Sequence, residues 1–363
     1  MQELSSTTES VNSFLKTEAI ELLKELIAIP SFSKEEHKTA DLLFDVFKRK
    51  GIAATRKINN VWTVNRYFDS SRPMILLNSH HDTVRPNDSY TINPFNPTEA
   101  SGKLFGLGSN DAGASLVSLL AAFLHFYERE DLKYNLVFCA SSEEEISGNN
   151  GIAAVIPHLP RIDLAIVGEP TLMQMAIAEK GLMVLDCTTH GKAGHAAREE
   201  GDNAIYKALK DITWFEKYRF LKESDTLGPV KMSVTVIKAG TQHNVVPSSC
   251  HFTVDIRTTD AYTNEEVLDI IKQNVSCEVR PRSLRLQPSG IAAQHPLVIA
   301  ATKLGLQSYG SPTLSDQALM PWPSVKIGPG DSARSHMADE YVHIDEIEKG
   351  IETYVKLLSE LIL

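Results

Sequence analysis

The sequence predicts an α/β protein of two domains. One is a discontinuous, three-layer domain around a mostly parallel sheet, and the other is a smaller ferredoxin-like α+β domain inserted into it. Three observations predict this. The 363 residues exceed what one hydrophobic core usually supports. Apolar strand and helix patterns alternate up to about residue 177 and resume after 287, the rhythm of a parallel sheet with helices on both faces. Between them the order becomes β-α-β-β-α-β, a split βαβ unit. The expected segments are therefore 1–177, 178–287 and 288–363.

The elements follow in order. The Ser/Thr-rich first ten residues read as a loose end. Ile20, Leu23 and Ile27 have helical spacing until Ile29-Pro30 breaks it, and Ser33-x-x-Glu36 reads as a capping box for a second helix ending at Gly51. Met74 to Leu77 is a buried-strand run, 113–127 a helix, Asn135 to Ala140 a strand, then further helix and the strand Leu164 to Val167. In the insert, 182–190, 231–238 and 249–257 alternate as strands do, and 276–286 reads as a last strand that Pro281 places at an edge. Ile205, Leu209 and Ile212 mark one face of a helix over 202–217, and Thr263-x-x-Glu266 caps another. A helix over 295–305, a strand near Ser324 to Ile327 and an amphipathic last helix (Ile347, Ile351, Tyr354, Val355, Leu358) restore the first pattern.

Composition removes several functions. A net charge of −10 lacks the basic excess that nucleic acid and anionic membranes attract, so neither is an expected partner. No apolar run approaches membrane-spanning length, the N-terminus has no basic region followed by an apolar core, and the four cysteines form no CxxC pair. The expectation is a cytoplasmic protein with buried, unpaired thiols. The glycine pattern at 106–108 lacks the third glycine of a dinucleotide loop, and no Walker lysine loop or Gly-x-Ser-x-Gly elbow occurs.

The ionisable residues recur at the C-terminal ends of predicted strands, where open α/β sheets place ligands. His80, His81 and Asp82 follow the first buried strand, Asp111 opens a helix, Glu143-Glu144-Glu145 follow the next strand, Glu169 follows another, and His336 follows the late one. So many carboxylates on one rim repel one another unless a cation holds them, and His with Asp or Glu suits Zn²⁺.

These residues resemble the zinc-dependent metallopeptidase and deacylase family that includes acetylornithine deacetylase, succinyl-diaminopimelate desuccinylase, aminoacylase and glutamate carboxypeptidase. The matching segments are His80-x-Asp82, Gly108-Ser-Asn-Asp111, Glu144-Glu145-Ile-x-Gly148, Val167-Gly-Glu169-Pro, Gly191-Lys-Ala-Gly-His195, Gly201-Asp-Asn203, Asn244-Val-Val-Pro247, Asp255-Ile-Arg257 and Ala333-Arg-Ser-His336. The resemblance implies two zinc ions per subunit, with Co²⁺ or Mn²⁺ as substitutes, bridged by Asp111. His80 and Glu169 would hold one, and Glu145 and His336 the other. It further implies Asp82 orienting His80, Glu144 as general base and acid, and a cis peptide after Asp111. His195 would stabilise the oxyanion, often from a dimer partner paired through the inserted domain, and Asn244 and Arg257 would meet substrate.

Two departures from the family pattern stand out. Asp111-Ala-Gly-Ala replaces Asp-Met-Lys-Gly, and Glu143-Glu144-Glu145 replaces Asp-Glu-Glu. The second leaves the base and ligand as Glu144 and Glu145 or, one residue earlier, Glu143 and Glu144; the spacing to Gly148 favours the former. Alternation turns His81 to the opposite face in a structural or surface role. Arg257 reads equally as a partner in an internal ion pair, Arg334 reads as a carboxylate clamp or an exposed charge, and Arg198 likewise.

The function expected is a cytoplasmic, homodimeric dizinc hydrolase removing an acetyl or succinyl group from a small N-acyl amino acid. The nearest resemblance is to acetylornithine deacetylase of arginine biosynthesis. Alternatives are a dipeptidase or carboxypeptidase of the same family, and a metal-binding scaffold without catalysis.

Overall fold

The computed structural model describes the backbone from Glu3 and the side chains from Ser13 onward. It divides the chain into two units. The first comprises Met1–Ile177, Ile291–Tyr309 and Ser315–Leu363, and the second Ala178–Gly290 with Gly310–Leu314. The second unit thus runs past residue 287, because the short strand Ser289–Gly290 pairs with residues 178 and 179.

In the first unit the parallel centre of the sheet has the order Asn135–Ser141, Met74–His80, Leu164–Val167, Ser324–Lys326. Antiparallel Asn60–Val64 and Thr55–Lys57 extend one side. Alternate residues of a strand serve opposite layers. Ile75 and Leu77 join the large core formed with helices Glu3–Ile27, His37–Arg49, Ala114–Phe126 and Ile344–Ile362. Met74 and Leu76 join a smaller one with Trp62, Ile152 and Val155. Each large apolar side chain so buried contributes about 1.5–3 kcal/mol.

The expected helices on both faces are therefore unequal. The smaller layer holds only Ile152–Val155 and the 3₁₀ turns Ile156–His158 and Asp316–Leu319, since Pro157 and Pro160 interrupt the run. The last helix buries Ile347, Ile351, Tyr354, Val355 and Leu358 as its spacing predicts. The expected loose N-terminus is corrected along its backbone, which is helical from Glu3 to Ile27; the side chains of residues 1–12 lie outside the described residues.

The second unit carries a four-stranded antiparallel sheet in the order Lys231–Ala239, Ser249–Thr258, Gly181–His190, Glu278–Pro281. With helices Ala204–Lys217 and Asn264–Asn274 this is the ferredoxin-like arrangement. Thr263 and Glu266 form the expected capping box. The last strand stops at Pro281 and lies at the edge. Helix Ala204–Lys217 buries Ala204, Ala208, Asp211 and Phe215; of the expected face Ile212 packs against this core, whereas Leu209 is 49% exposed. Asp211 turns inward because its carboxylate accepts the N–H groups of Ser276 and Cys277. All four cysteines are free; Cys139, Cys187 and Cys250 are buried and Cys277 is half-buried. Among the described residues no helix is long and apolar enough to cross a membrane.

Candidate metal centre

Two donor groups share one residue. His80, Asp111 and Glu169 form the first, and Asp111, Glu145 and His336 the second; in each, one ligand atom per residue lies within 4.8 Å of the others. Two ligands that each sit about 2 Å from a shared ion are themselves up to roughly 4 Å apart, so both groups fit a divalent cation after small side-chain adjustment. Asp111 faces both imidazoles: Oδ1 is 3.3 Å from His80 Nε2 and Oδ2 is 3.6 Å from His336 Nε2. The peptide after Asp111 is cis.

His80 ends the fully buried strand Met74–His80. Its Nδ1 donates to the Asp82 main-chain carbonyl at 3.0 Å, which fixes a proton there and turns Nε2 toward Asp111 and Glu169. The expected orienting role of the Asp82 carboxylate is thereby modified. That carboxylate is 3.5 Å from Nδ1, while Oδ1 accepts the N–H of Glu144 at 3.0 Å and Oδ2 accepts that of Glu145 at 3.2 Å and the Ser33 hydroxyl at 2.7 Å.

Ser33 and Glu36 consequently do not form the expected capping box. Glu36 is buried, with Oε1 accepting the N–H groups of Lys34 and Glu143 and Oε2 the Asn59 amide. Local spacing suggested a cap, but tertiary partners took both side chains. The register of the three glutamates follows from this anchoring. Glu143, at φ +54, turns its carboxylate to Asn150. Glu144 Oε2 lies 3.9 Å from His80 Nε2, and Glu145 Oε2 lies 2.9 Å from His336 Nε2.

The charge balance also favours a cation. Burial and the charges of Glu169, Asp316 and Glu145 push Glu144 well above the usual carboxylate range, although His80 opposes this. Burial, with Asp111, pushes Glu169 up to about 8, and the same two causes push Glu340 up to about 8. Burial lowers His80, but hydrogen bonds to Asp111 and Asp82 and the nearby glutamates outweigh it and hold the ring well above its ordinary value. The Glu145 hydrogen bond raises His336 to about 9. Carboxylates whose charge must be held by proton or imidazolium are what a divalent ion would relieve.

His81 is buried on the other side of the strand, between Thr39 Oγ1 at 2.9 Å and the Asn59 carbonyl at 2.8 Å, and burial lowers it to about 4. Arg334 is corrected as a clamp: it is buried, and its guanidinium grips Glu346 at 2.6 and 2.9 Å, leaving no free fork for a ligand.

His195, Asn244 and Arg257 belong to the second unit. His195 pairs with Val245, and Ala196 N–H donates to the Asn244 carbonyl, so His195 and Asn244 lie on adjacent segments. His195 Nδ1 accepts the Ala197 N–H at 3.1 Å, which leaves Nε2 as the donor in the neutral ring. Arg257 makes an internal bidentate pair with Asp255 at 2.9 and 3.1 Å. Lys231 stands opposite it, and burial together with the charges of Lys231 and Arg257 lowers Lys180. The motifs pointed to Arg257 but not to these two lysines, because only strand pairing brings them together. Arg198 is exposed, with Glu200 at 3.6 Å.

Two relatives are each 25% identical over 94% of this chain and 97% of their own length: a succinyl-diaminopimelate desuccinylase of Delftia acidovorans and a putative LysW-lysine/LysW-ornithine hydrolase of Pyrobaculum aerophilum. The fold is similar to that of aminopeptidase PepT from Bacillus cereus, with TM-score 0.76, 18% identity and coverage of 95% of this chain and 98% of that one. It is also similar to a dinuclear metal-binding M20 peptidase from Bacillus subtilis, with TM-score 0.73, 15% identity and coverage of 95% and 98%. The family model for peptidase family M20/M25/M40 matches residues 76–360. Since that match takes in every residue of both donor groups, the chain belongs to peptidase family M20/M25/M40.

Proposed function

We propose that this protein is a dizinc amidohydrolase that removes an N-acyl group from a small amino acid. The observation that carries the reading is Asp111 facing both His80 and His336, with Glu144 beside His80 but outside both donor groups. His80, Asp111 and Glu169 would hold one ion, and Asp111, Glu145 and His336 the other. When bound, such a pair of ions polarises the amide carbonyl and acidifies water. Glu144 takes the proton of the attacking water and returns it to the departing amine nitrogen, a role that its raised proton affinity suits. His195 would donate from Nε2 to the developing oxyanion, Asn244 would contact the substrate, and Arg257 would do so only through Nη1, which its pair with Asp255 does not use.

The names of the relatives bear on the substrate. One removes succinyl from a diamino acid and the other is named for lysine and ornithine. They support an N-acylated diamino acid in general; acetyl or succinyl on ornithine, and with it a cytoplasmic place in arginine biosynthesis, is our own narrower proposal.

A homodimer is part of the reading. Lys231–Ala239 is an edge strand nine residues long, with Val236 and Ile237 exposed and with exposed Tyr206 and Leu209 on the helix Ala204–Lys217. A long apolar edge of this kind favours pairing with another copy.

The test is hydrolysis of N-acetylornithine, N-succinylornithine and dipeptides by the Zn²⁺-loaded protein, with and without chelator. Chelator-sensitive cleavage of an acylornithine is expected. Cleavage of dipeptides alone would make it a peptidase, and stoichiometric Zn²⁺ with no cleavage would make it a scaffold.

A further inference from the structure

The loop that carries Asp111 is held from behind by a carboxylate that no motif announced. Glu340 is 1% exposed. Its Oε1 accepts the N–H of Asn110 at 2.8 Å and of Asp111 at 2.9 Å, and its Oε2 accepts that of Gly108 at 3.0 Å. Its main-chain carbonyl accepts the N–H of Gly106 at 3.0 Å. Four backbone donors of one short segment therefore end on one residue.

Local geometry explains why the segment needs an outside acceptor. Asp111 and Ala112 depart from helical torsions, at φ −115°, ψ 99° and φ −116°, ψ 31°. Gly108 sits at φ +76°, and a Cβ there would meet Thr83 Cγ2 at 2.6 Å, so glycine is required for the turn. A buried carboxylate is costly unless well hydrogen-bonded, and three backbone N–H groups meet the two oxygens of this one. Only a carboxylate accepts on both oxygens. Glutamine would set an NH₂ against one of the N–H donors.

The arrangement repeats around the site. The Asp82 carboxylate holds the N–H groups of Glu144 and Glu145, and Glu36 holds that of Glu143. Glu340 differs in lying four residues after His336, so one short segment carries both that imidazole and the anchor of Asp111.

We infer that Glu340 is a positioning residue: it fixes the main chain of Gly108, Asn110 and Asp111 so that the two Asp111 oxygens face His80 and His336. The inference rests on the reading of Asp111 as the shared metal ligand.

Two measurements test it. In chelator-stripped wild-type protein, amide hydrogen exchange over 106–113 is expected to be slow, because Glu340 orders the segment without the ion. Fast exchange that slows only on adding Zn²⁺ would overturn the inference, and this holds even should a variant fail to fold. Zn²⁺ calorimetry then compares wild type, Asp111→Asn and Glu340→Gln, each checked for folding by circular dichroism. Glu340→Gln is expected to bind Zn²⁺ about 10- to 100-fold more weakly and to lose kcat with KM unchanged. Wild-type Zn²⁺ affinity in a folded Glu340→Gln protein overturns the inference alone. No Zn²⁺ uptake by wild type, or wild-type affinity in Asp111→Asn, overturns the metal assignment and the inference with it.

Discussion

Asp82 holds Glu144 by its backbone: the carboxylate Oδ1 accepts the Glu144 N–H at 3.0 Å. The same side chain also accepts from Glu145 and Ser33, so the residue two places after His80 builds the loop of the proposed base. Asp82→Ala should therefore weaken Zn²⁺ binding by about 10- to 100-fold, as loss of a partner behind the ligands typically does, and should lower kcat as well. Chelator competition measures the first effect. Unaltered affinity would confine Asp82 to a role in turnover.

Glu144→Gln separates base from ligand. Its nearest donor-group contact is His80 Nε2 at 3.9 Å, whereas Glu145 reaches His336 at 2.9 Å. The variant should retain its metal, by elemental analysis, and lose about 10²- to 10⁴-fold in kcat. Lost metal with retained turnover would exchange the roles of the two glutamates.

The pH dependence of stability should carry the signature of His81. Burial holds this ring at about 4 in the folded protein, against an ordinary value near 6.5. Between those values the unfolded chain binds the extra proton, so stability is full above about 6.5 and falls as pH drops toward 4. The loss is on the order of 3 kcal/mol at the acid end. Urea unfolding across this window should show a shallower acid slope for His81→Gln than for wild type; equal slopes would mean that the folded protein accepts the proton.

Much of this centre was legible in sequence because its ligands follow strands, where a short buried run ending in His or Glu has few other readings. His80, Glu144, Glu145 and Glu169 come from such positions, whereas His336 stands well past the strand Ser324–Lys326, just after the turn Ser332–Arg334. Their anchors were not legible. Ser33 binds Asp82 across 49 residues and Glu36 binds Glu143 across 107, yet their own spacing matches a local helix cap. The face of helix Ala204–Lys217 was misread for a similar reason: Asp211 is inward because of Ser276 and Cys277, contacts that helical periodicity does not contain.

The exposed strand Lys231–Ala239 should govern association. Ile237, 53% exposed at the sheet edge, can be replaced by lysine with a stability change within about 0.5 kcal/mol, as is usual for surface sites. Sedimentation velocity should show a dimer for wild type and a monomer for Ile237→Lys. A wild-type monomer, or an unaltered dimer in the variant, places any interface elsewhere.

The central claim is that Asp111 joins two metal sites. It is tested most directly by calorimetric titration of chelator-stripped protein with Zn²⁺, comparing wild type with Asp111→Asn. Two equivalents bound by wild type, and loss of tight binding at both positions in the variant, are the predicted results. A wild type that saturates at one equivalent, or a variant that still binds two with undiminished affinity, would contradict the account.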